Sequence, residues 1–282
     1  MVYRILTALA LPTLCLAQAQ CSLDTVRGTW VAYYVGSITT AAAGSWSPEA
    51  TPTAQLMVET IDYQGRFTGT EYASVGGQTV TATLSGNSQV NADCTASNTF
   101  TMSVAGTGKL PGTGSERLLI LNNGTEMRAM TTHGLLGSPT GIGYYRRVSW
   151  SEPHCTQDMV HGVYGATFEG AFVMPPPGQS QPAPYQYSQI GISVWDYAGR
   201  GPGAATMSLG GNVLPISFPE GALTVNADCT GTAKSPDGTV NQLVVLNWGD
   251  EMLFITMQTF GGSPVMIGKY KRMSTTPAEL KW

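Results

Sequence analysis

Aromatic side chains are the residues of this sequence whose types and spacing best predict a binding site. Trp30 and Tyr34 lie at an even offset in a predicted strand, so both side chains point to the same face of it. A flat, apolar ligand stacks well between such rings, although packing within a core is the commoner reason for them. The candidate binding residues, drawn from both halves of the chain, are Trp30, Tyr34, Tyr164, Phe168, Trp195 and Trp248.

Two polar side chains are candidates for a catalytic role. Arg128 interrupts a strand that otherwise alternates with apolar residues, and the aligned residue in the second half of the chain is Leu253. If Arg128 points into the fold, its guanidinium would donate charge-assisted hydrogen bonds to a carbonyl or an oxyanion. If it points outward, it is an ordinary surface arginine. The hydroxyl of Tyr34 is the second candidate donor.

Motifs for nucleophilic, metal or phosphate chemistry do not occur. The sequence has no G-x-S-x-G, no H-E-x-x-H, no Gly-rich phosphate loop and no C-x-x-C. We therefore predict neither a cofactor nor a metal. Several carboxylates recur in both halves, and we expect them to cap turns and pin hairpins rather than to form an acid–base pair: Asp24 and Asp158, Asp62 and Asp196, Asp93 and Asp228, Glu126 and Glu251.

A repeated hexapeptide organises the chain. Residues 90–95 and 225–230 both read VNADCT, and residues 118–149 align with residues 243–274 without a gap. Cys21 precedes Cys94 by almost the same number of residues as Cys155 precedes Cys229. Because a duplicated domain should close the same loop twice, the repeat predicts the disulfides Cys21–Cys94 and Cys155–Cys229.

The N-terminal segment has the features of a signal peptide. Arg4 precedes an apolar run over residues 5–16, and small residues follow that run. We therefore predict a secreted protein whose route is oxidising, with a signal peptide at 1–19, domains at 20–149 and 155–274, a linker at 150–154 and a tail at 275–282. In such a protein the sequon that begins at Asn123 is a predicted glycosylation site.

Short, frequent strand signals predict an all-β fold made of two homologous domains. Eight antiparallel strands in each half favour an up-and-down barrel because closure removes exposed edges, and an open sandwich is the alternative. We expect the two barrels to be related by a pseudo-two-fold or a similar rotation. The Asn123-Gly124 pair predicts a two-residue type I′ hairpin. Residues 37–54 and 171–188 are predicted to be long loops near a barrel mouth.

Composition excludes two classes of partner. Only 11% of the residues are charged and the formal net charge is −4, which argues against nucleic acid and against an anionic membrane surface. The predicted partner is a hydrophobic or aromatic small molecule. The sequence is compatible with a homodimer as well as with a monomer.

A family resemblance adds to this interpretation. The segments that carry it are Gly28-Thr29-Trp30 and Gly162-Val163-Tyr164, the D-Y-x-G-R segments at 62–66 and 196–200, and the two hexapeptides. They resemble secreted, lipocalin-like (calycin-like) β-barrel proteins of fungi and bacteria. With its signal peptide, sequon and tandem barrel, the chain also looks like the secreted fungal hetero-Diels–Alderases of tropolonic sesquiterpenoid biosynthesis. That resemblance implies a [4+2] cycloaddition between a tropolone quinone methide and a humulene-type sesquiterpene.

Such a pericyclase would need no nucleophile, metal or cofactor. It would hold two apolar partners in near-attack geometry, which can supply up to ~7–11 kcal/mol in the best cases. The aromatic candidates would form the walls, residues 175–185 would cover them, and Arg128 or Tyr34 would polarise the carbonyl. The alternatives are a non-enzymatic, lipocalin-like carrier of a hydrophobic ligand, and a structural protein whose barrels are filled.

Overall fold

The chain forms two closed, eight-stranded antiparallel barrels in tandem, as the sequence predicts. The computed structural model describes residues 20–39, 50–135, 138–149, 153–176, 178–259 and 261–275. The predicted signal peptide, most of the predicted tail and residues 150–152 of the predicted linker lie outside these residues.

The first barrel closes where its last strand pairs with its first, with Val31 opposite Arg146. Its eight wall strands are β1 (Gly28–Thr39), β2 (Ala50–Ile61), β3 (Arg66–Val75), β4 (Gln78–Val90), β5 (Thr95–Val104), β7 (Gly114–Leu121), β8 (Glu126–His133) and β10 (Gly143–Ser149). Two short strands pair at its margin, β6 (Gly108–Lys109) with β5 and β9 (Ser138–Thr140) with β1. β4 is the longest strand of this barrel and leads directly into the first repeated hexapeptide.

The second barrel repeats this order and closes between its last and first strands. Its strands are β11 (Gly162–Met174), β12 (Ala183–Trp195), β13 (Arg200–Leu209), β14 (Asn212–Val225), β15 (Thr230–Lys234), β16 (Val240–Leu246), β17 (Glu251–Gln258) and β18 (Ser263–Ser274). β11 and β12 pair from Gly162 opposite Trp195 to Met174 opposite Ala183. The prediction of a long loop over residues 171–188 is therefore wrong, because both ends of that segment continue the strands. In the first barrel the predicted loop at 37–54 is also wrong at both ends, because residues 37–39 belong to β1 and residues 50–54 to β2. Residues 40–49 lie outside the described residues.

A short helical segment plugs one end of each barrel. The helix Leu23–Val26 buries Val26 in the first barrel, and the 3-10 turn Gln157–Val160 buries Val160 in the second. Both predicted disulfides, Cys21–Cys94 and Cys155–Cys229, are confirmed and tie these plugs to the turns that hold the repeated hexapeptides. Four of the repeated carboxylates cap turns as predicted. Asp62 accepts hydrogen bonds from the backbone nitrogens of Gln64 and Arg66, and Asp196 does the same in its own turn. Asp93 and Asp228 each accept one from the backbone nitrogen of the threonine two residues further on.

A repeated arginine locks each plug. The guanidinium of Arg147 lies 4.1 Å from the ring centre of Trp30 and donates to the carbonyl oxygens of Gly124 (2.8 Å) and Thr25 (2.5 Å). Arg272 occupies the same place in the second barrel, where it lies over Tyr164 and donates to its hydroxyl at 3.0 Å. Trp30 and Tyr164 are therefore core residues of the plugged ends.

We expect Arg147→Met to lower the free energy of unfolding by about 2 kcal/mol, because buried carbonyl groups lose their donors. The matched control is Arg117→Met on the exposed face of β7, where we expect a change below about 0.5 kcal/mol. Urea denaturation of both variants measures the difference. Equal losses in the two variants would contradict this account of the plug.

The hairpins after β7 and β16 use a longer turn than predicted. Asn122, Asn123 and Gly124 all have positive φ, and so do Asn247, Trp248 and Gly249. Leu121 pairs with Glu126 across the first of these turns, so the connection is four residues rather than two. The hairpin is confirmed, but the two-residue type I′ turn is wrong. The side chain of Asn123 is exposed at the tip.

The barrels pack against each other through an apolar face, which we call the inter-barrel face. Alternation along β2 sends Met57, Glu59 and Ile61 into the first barrel and sends Leu56 outward to the second barrel. The buried residues of the inter-barrel face come from both barrels. They are Val31, Ala54 and Leu56 of the first barrel and Ala171, Val244, Leu246, Leu253, Ile255 and Val265 of the second. The first barrel contributes β1, β2 and β3, whereas the second contributes mainly β16–β18. Because these strands are not equivalent in the repeat, a pseudo-two-fold axis does not relate the barrels, and the alternative of another rotation stays a prediction.

Candidate functional site

Each barrel contains an internal cavity, and the two cavities differ sevenfold in size. The first cavity measures about 50 Å³ and the second about 350 Å³. Both extend toward the end of the barrel opposite the plug, where β8 and β17 end: Leu135 borders the first cavity and Thr259 the second. The second cavity is large enough for one small organic ligand.

Side-chain size at equivalent positions accounts for much of this difference. Glu71 faces the first cavity opposite Met57, and the corresponding pair in the second barrel is Ala205 opposite Gly191. Phe67 of the first cavity is likewise replaced by Gly201. Because large side chains fill the space between strands in one barrel and small ones leave it open in the other, the same backbone yields a nearly filled and a hollow interior.

Aromatic rings form one wall of the second cavity. Phe168 and Trp195 both lie edge-to-face against Tyr270, with ring centres 6.2 Å and 6.4 Å away. Phe254 packs behind Phe168 at 4.3 Å. Burial raises the pKa of Tyr270 to about 12, so its hydroxyl stays protonated at neutral pH. The wall offers flat apolar surface for a ring-containing ligand.

Three buried polar atoms of residues that border the second cavity have no hydrogen-bond partner among the described residues. They are the indole nitrogen Nε1 of Trp195, the amide oxygen Oδ1 of Asn241 and the hydroxyl Oγ1 of Thr256. Nε1 can only donate and Oδ1 can only accept. Because a buried polar group without a partner costs roughly 1–3 kcal/mol, a ligand that satisfies these atoms would gain their hydrogen bonds.

Three glutamates face into the first barrel. Glu59, Glu71 and Glu116 are at most 6% exposed and border the first cavity. Glu116 accepts hydrogen bonds from the hydroxyls of Tyr34 (2.8 Å) and Tyr145 (3.0 Å). Both carboxyl oxygens of Glu59 lack a hydrogen-bond partner among the described residues.

Burial and mutual repulsion perturb the ionisation of this cluster. Burial, followed by the charge of Glu116, raises the pKa of Glu59 from its usual 4.5 to about 8 and that of Glu71 to about 7. Burial also raises the pKa of Glu116, although the Tyr34 and Tyr145 hydroxyls act in the opposite direction by donating to its carboxylate. Without a ligand, Glu59 is therefore mostly neutral at pH 7.

The structure distributes the predicted aromatic residues over four places. Phe168 and Trp195 border the second cavity, and Tyr34 borders the first. Trp30 and Tyr164 are fully buried beside the locking arginines. Trp248 stands at a hairpin tip with 79% of its surface exposed. None of the described residues between 175 and 185 borders the second cavity, so the predicted cover is not observed in that part of the chain.

Arg128 lies on the outer surface of the first barrel. Its neighbours in β8, Met127 and Ala129, point into the core, so alternation places Arg128 outside. There its guanidinium lies 4.6 Å from the ring centre of Tyr144 and 3.6 Å from Glu126. Leu253 is apolar at the equivalent position because that face of the second barrel is covered by the first. Arg128 borders neither cavity.

The glutamate cluster is the feature that sequence reasoning missed. Its members do not recur in both halves, since Glu59, Glu71 and Glu116 align with Ser193, Ala205 and Asn241. The available signal was alternation, since Glu59 occupies an inward position between Met57 and Ile61 in β2.

No known protein family matches this chain, and no curated protein matches it at a significant level. Within the described residues, no three His, Cys, Asp or Glu side chains converge in a way that could hold a metal ion. The described part of the chain also contains no helix long and apolar enough to cross a membrane.

Glycosylation of Asn123 stays a prediction, and the exposed tip gives a glycan room. Protein secreted from a eukaryotic host is expected to lose mass on treatment with an N-glycosidase. Asn123→Gln should abolish that loss, since it removes the acceptor. An unchanged mass for the unmutated protein would contradict the prediction.

Proposed function

We propose that this protein binds a flat, largely apolar small molecule in the second cavity. The observation that carries the proposal is the combination of about 350 Å³ of internal space, an aromatic wall, and buried polar atoms without partners. An apolar ring system would stack on Phe168 and Trp195. A carbonyl oxygen would accept from the indole nitrogen of Trp195, and a hydroxyl group would donate to Asn241.

The finer proposal concerns the reaction. A tropolone has a ring carbonyl and an adjacent hydroxyl. Its carbonyl oxygen would accept a hydrogen bond from Trp195, and its hydroxyl would donate one to Asn241. A hydrogen bond to the carbonyl of a tropolone quinone methide would draw electron density from the diene and favour [4+2] addition of a humulene-type alkene. At about 350 Å³ the cavity suits the quinone methide, so the alkene would approach it from the mouth. In this proposal the donor is Trp195, and Arg128 has no role.

The proposal includes secretion. Two disulfides are typical of proteins that mature in an oxidising compartment, and the N-terminal sequence has the pattern of a signal peptide. Recovery of the disulfide-bonded protein from the culture medium of its natural host tests this point, and its confinement to the reducing cytosol would contradict it.

Binding is tested by calorimetric titration with tropolone and with humulene as separate probes. Ala205→Leu should abolish binding of both, because it fills the space that Glu71 fills in the first barrel. Ile190→Ala, on the exposed outer face of β12, is the matched control and should bind as the unmutated protein does. Equal binding by Ala205→Leu and the control would place any ligand elsewhere.

Trp195→Phe separates stacking from hydrogen bonding. We expect about a tenfold loss of tropolone affinity, corresponding to one hydrogen bond, while humulene, which has no oxygen, binds unchanged. The reaction itself is tested by incubating a quinone-methide precursor and humulene with and without protein. If rates and stereochemistry are the same in both, the cycloaddition proposal is wrong, and saturable binding without turnover would identify a carrier.

A further inference from the structure

The first cavity is lined by three buried glutamates, whereas the second cavity is lined mainly by apolar and aromatic side chains. We propose that these three inward glutamates bind the ammonium head of a primary aliphatic amine, with the alkyl chain directed toward the open end of the first barrel. The ligand class is therefore a small organic cation, and the site is the first cavity.

The unpartnered carboxyl of Glu59 is the first observation. It is 1% exposed and borders the cavity, and neither of its oxygens accepts a hydrogen bond from any described residue. Buried carboxyl groups in folded proteins nearly always have such partners. Among the described lining residues there is no Lys, Arg or His to neutralise the cluster. A ligand that brings both hydrogen-bond donors and a positive charge would satisfy the oxygens of Glu59 and would offset the negative charge of Glu71 and Glu116, which border the same cavity.

The repeat supplies the second observation. The equivalents of the three glutamates in the second barrel are Ser193, Ala205 and Asn241, none of which carries charge. The barrel therefore closes and packs without carboxyls at these positions. A structural role common to the fold does not account for buried acids that are present in only one copy.

The size and walls of the cavity define the ligand further. About 50 Å³ admits roughly three water-sized groups, which suits an ammonium head but excludes a ring system. Leu84, Phe100, Met102 and Leu135 border the same space and offer apolar contact to a short alkyl chain. The hydroxyls of Tyr34 and Tyr145 already donate to Glu116, so they orient this carboxylate and leave its remaining lone pairs for the ligand.

A primary amine fits better than a quaternary one because the unsatisfied atoms are acceptors. An R–NH₃⁺ group has three N–H donors, whereas a tetramethylammonium ion has none. A neutral alcohol of the same length would bring one donor and no charge, and a carboxylate would be repelled.

The test uses the full mature protein and n-butylammonium as the probe, titrated by calorimetry at ~pH 8.5, where more of the glutamates are ionised. We expect saturable binding of butylammonium, weaker binding of tetramethylammonium, and no detectable binding of butanol or butyrate. Equal binding of butanol, or no binding of butylammonium up to tens of millimolar, would overturn the proposal. These comparisons use the unmutated protein and so do not depend on how a variant folds.

Variants locate the site. Glu59→Gln keeps the shape and removes the charge, and we expect it to weaken butylammonium binding by about tenfold or more. Glu126→Gln removes a carboxylate on the outer face of the same barrel and should leave binding unchanged. Ala205→Leu, which fills the second cavity, should also leave it unchanged. Unaltered binding by Glu59→Gln, or loss of binding in Ala205→Leu, would overturn the assignment to the first cavity.

Discussion

The unliganded protein is expected to lose several kcal/mol of stability as the pH rises from roughly 5 to roughly 8.5. The cause is the glutamate cluster, in which burial and the charge of Glu116 raise the pKa of Glu59 to about 8 and that of Glu71 to about 7. In the unfolded chain both groups return to their usual pKa of 4.5. Between these values the folded protein holds protons that the unfolded chain has released.

The direction of the change in stability with pH follows from this difference in bound protons between the folded and the unfolded state. Because the folded state binds more protons over this range, the free energy of unfolding falls as pH rises, by up to about 1.4 kcal/mol per pH unit for each such group. The stability is fully present below the unfolded pKa and is lost as pH rises through the folded pKa. Urea denaturation at a series of pH values measures the slope.

Glu59→Gln should reduce this pH dependence to the part that Glu71 contributes, because the neutral amide has no proton to lose. Glu126→Gln, on the outer face, should keep the slope of the unmutated protein. A stability that rises from pH 5 to pH 8.5, or a Glu59→Gln variant with the original slope, would contradict the burial argument. Addition of butylammonium is expected to restore stability at the alkaline end only if the first cavity binds it.

The second large effect is expected at the inter-barrel face. Leu253→Asp places an unpaired carboxylate in an apolar contact beside Val31 and Leu56, next to Glu251, which already pairs with Arg146 at 3.5 Å. We expect a loss of about 3–5 kcal/mol in the free energy of unfolding, since a buried charge without a partner is costly and a leucine contact disappears.

Arg128→Asp is the matched control for this change. It alters the equivalent strand position of the first barrel, where the side chain is on the outer surface, and should cost less than about 1 kcal/mol. Urea denaturation followed by tryptophan fluorescence compares the two. The Leu253→Asp variant is further expected to unfold in separate transitions, one for each barrel, because the contact that couples them is weakened. Similar losses for both variants would show that the face contributes little.

Period-two patterns and the repeat made the fold predictable. Short strands with turn residues between them, and cysteines at matched positions, were enough for two barrels and for both disulfides. Turn details were less predictable, because the chain after Leu121 uses three consecutive residues with positive φ where Asn123-Gly124 alone indicated a shorter turn. The proline and polar residues of the segment at 171–188 predict a loop. In the structure, however, β11 and β12 continue into this segment from both sides.

The site was harder to predict because the position of an aromatic side chain along the barrel decides whether it packs at the plugged end or borders the cavity. Trp30 and Tyr34 share one face of β1, yet Trp30 packs under Arg147 at the plugged end and Tyr34 borders the first cavity. Sequence spacing determines the face but not the depth along the barrel. Likewise, whether Arg128 is inward or outward depends on the register of β8, which the neighbouring Met127 and Ala129 determine.

The inter-barrel face joins strands that are not equivalent, and such a head-to-tail contact can in principle be repeated, as a ring or as an open filament. If this contact were repeated, a third barrel would dock on the second barrel as the second docks on the first. The free surfaces differ from the joined ones: Leu253 is replaced by Arg128 on the first barrel, and Ala54 by the exposed Ser188 on the second. The outermost surfaces of the two barrels therefore lack two of the apolar side chains that form the contact between them.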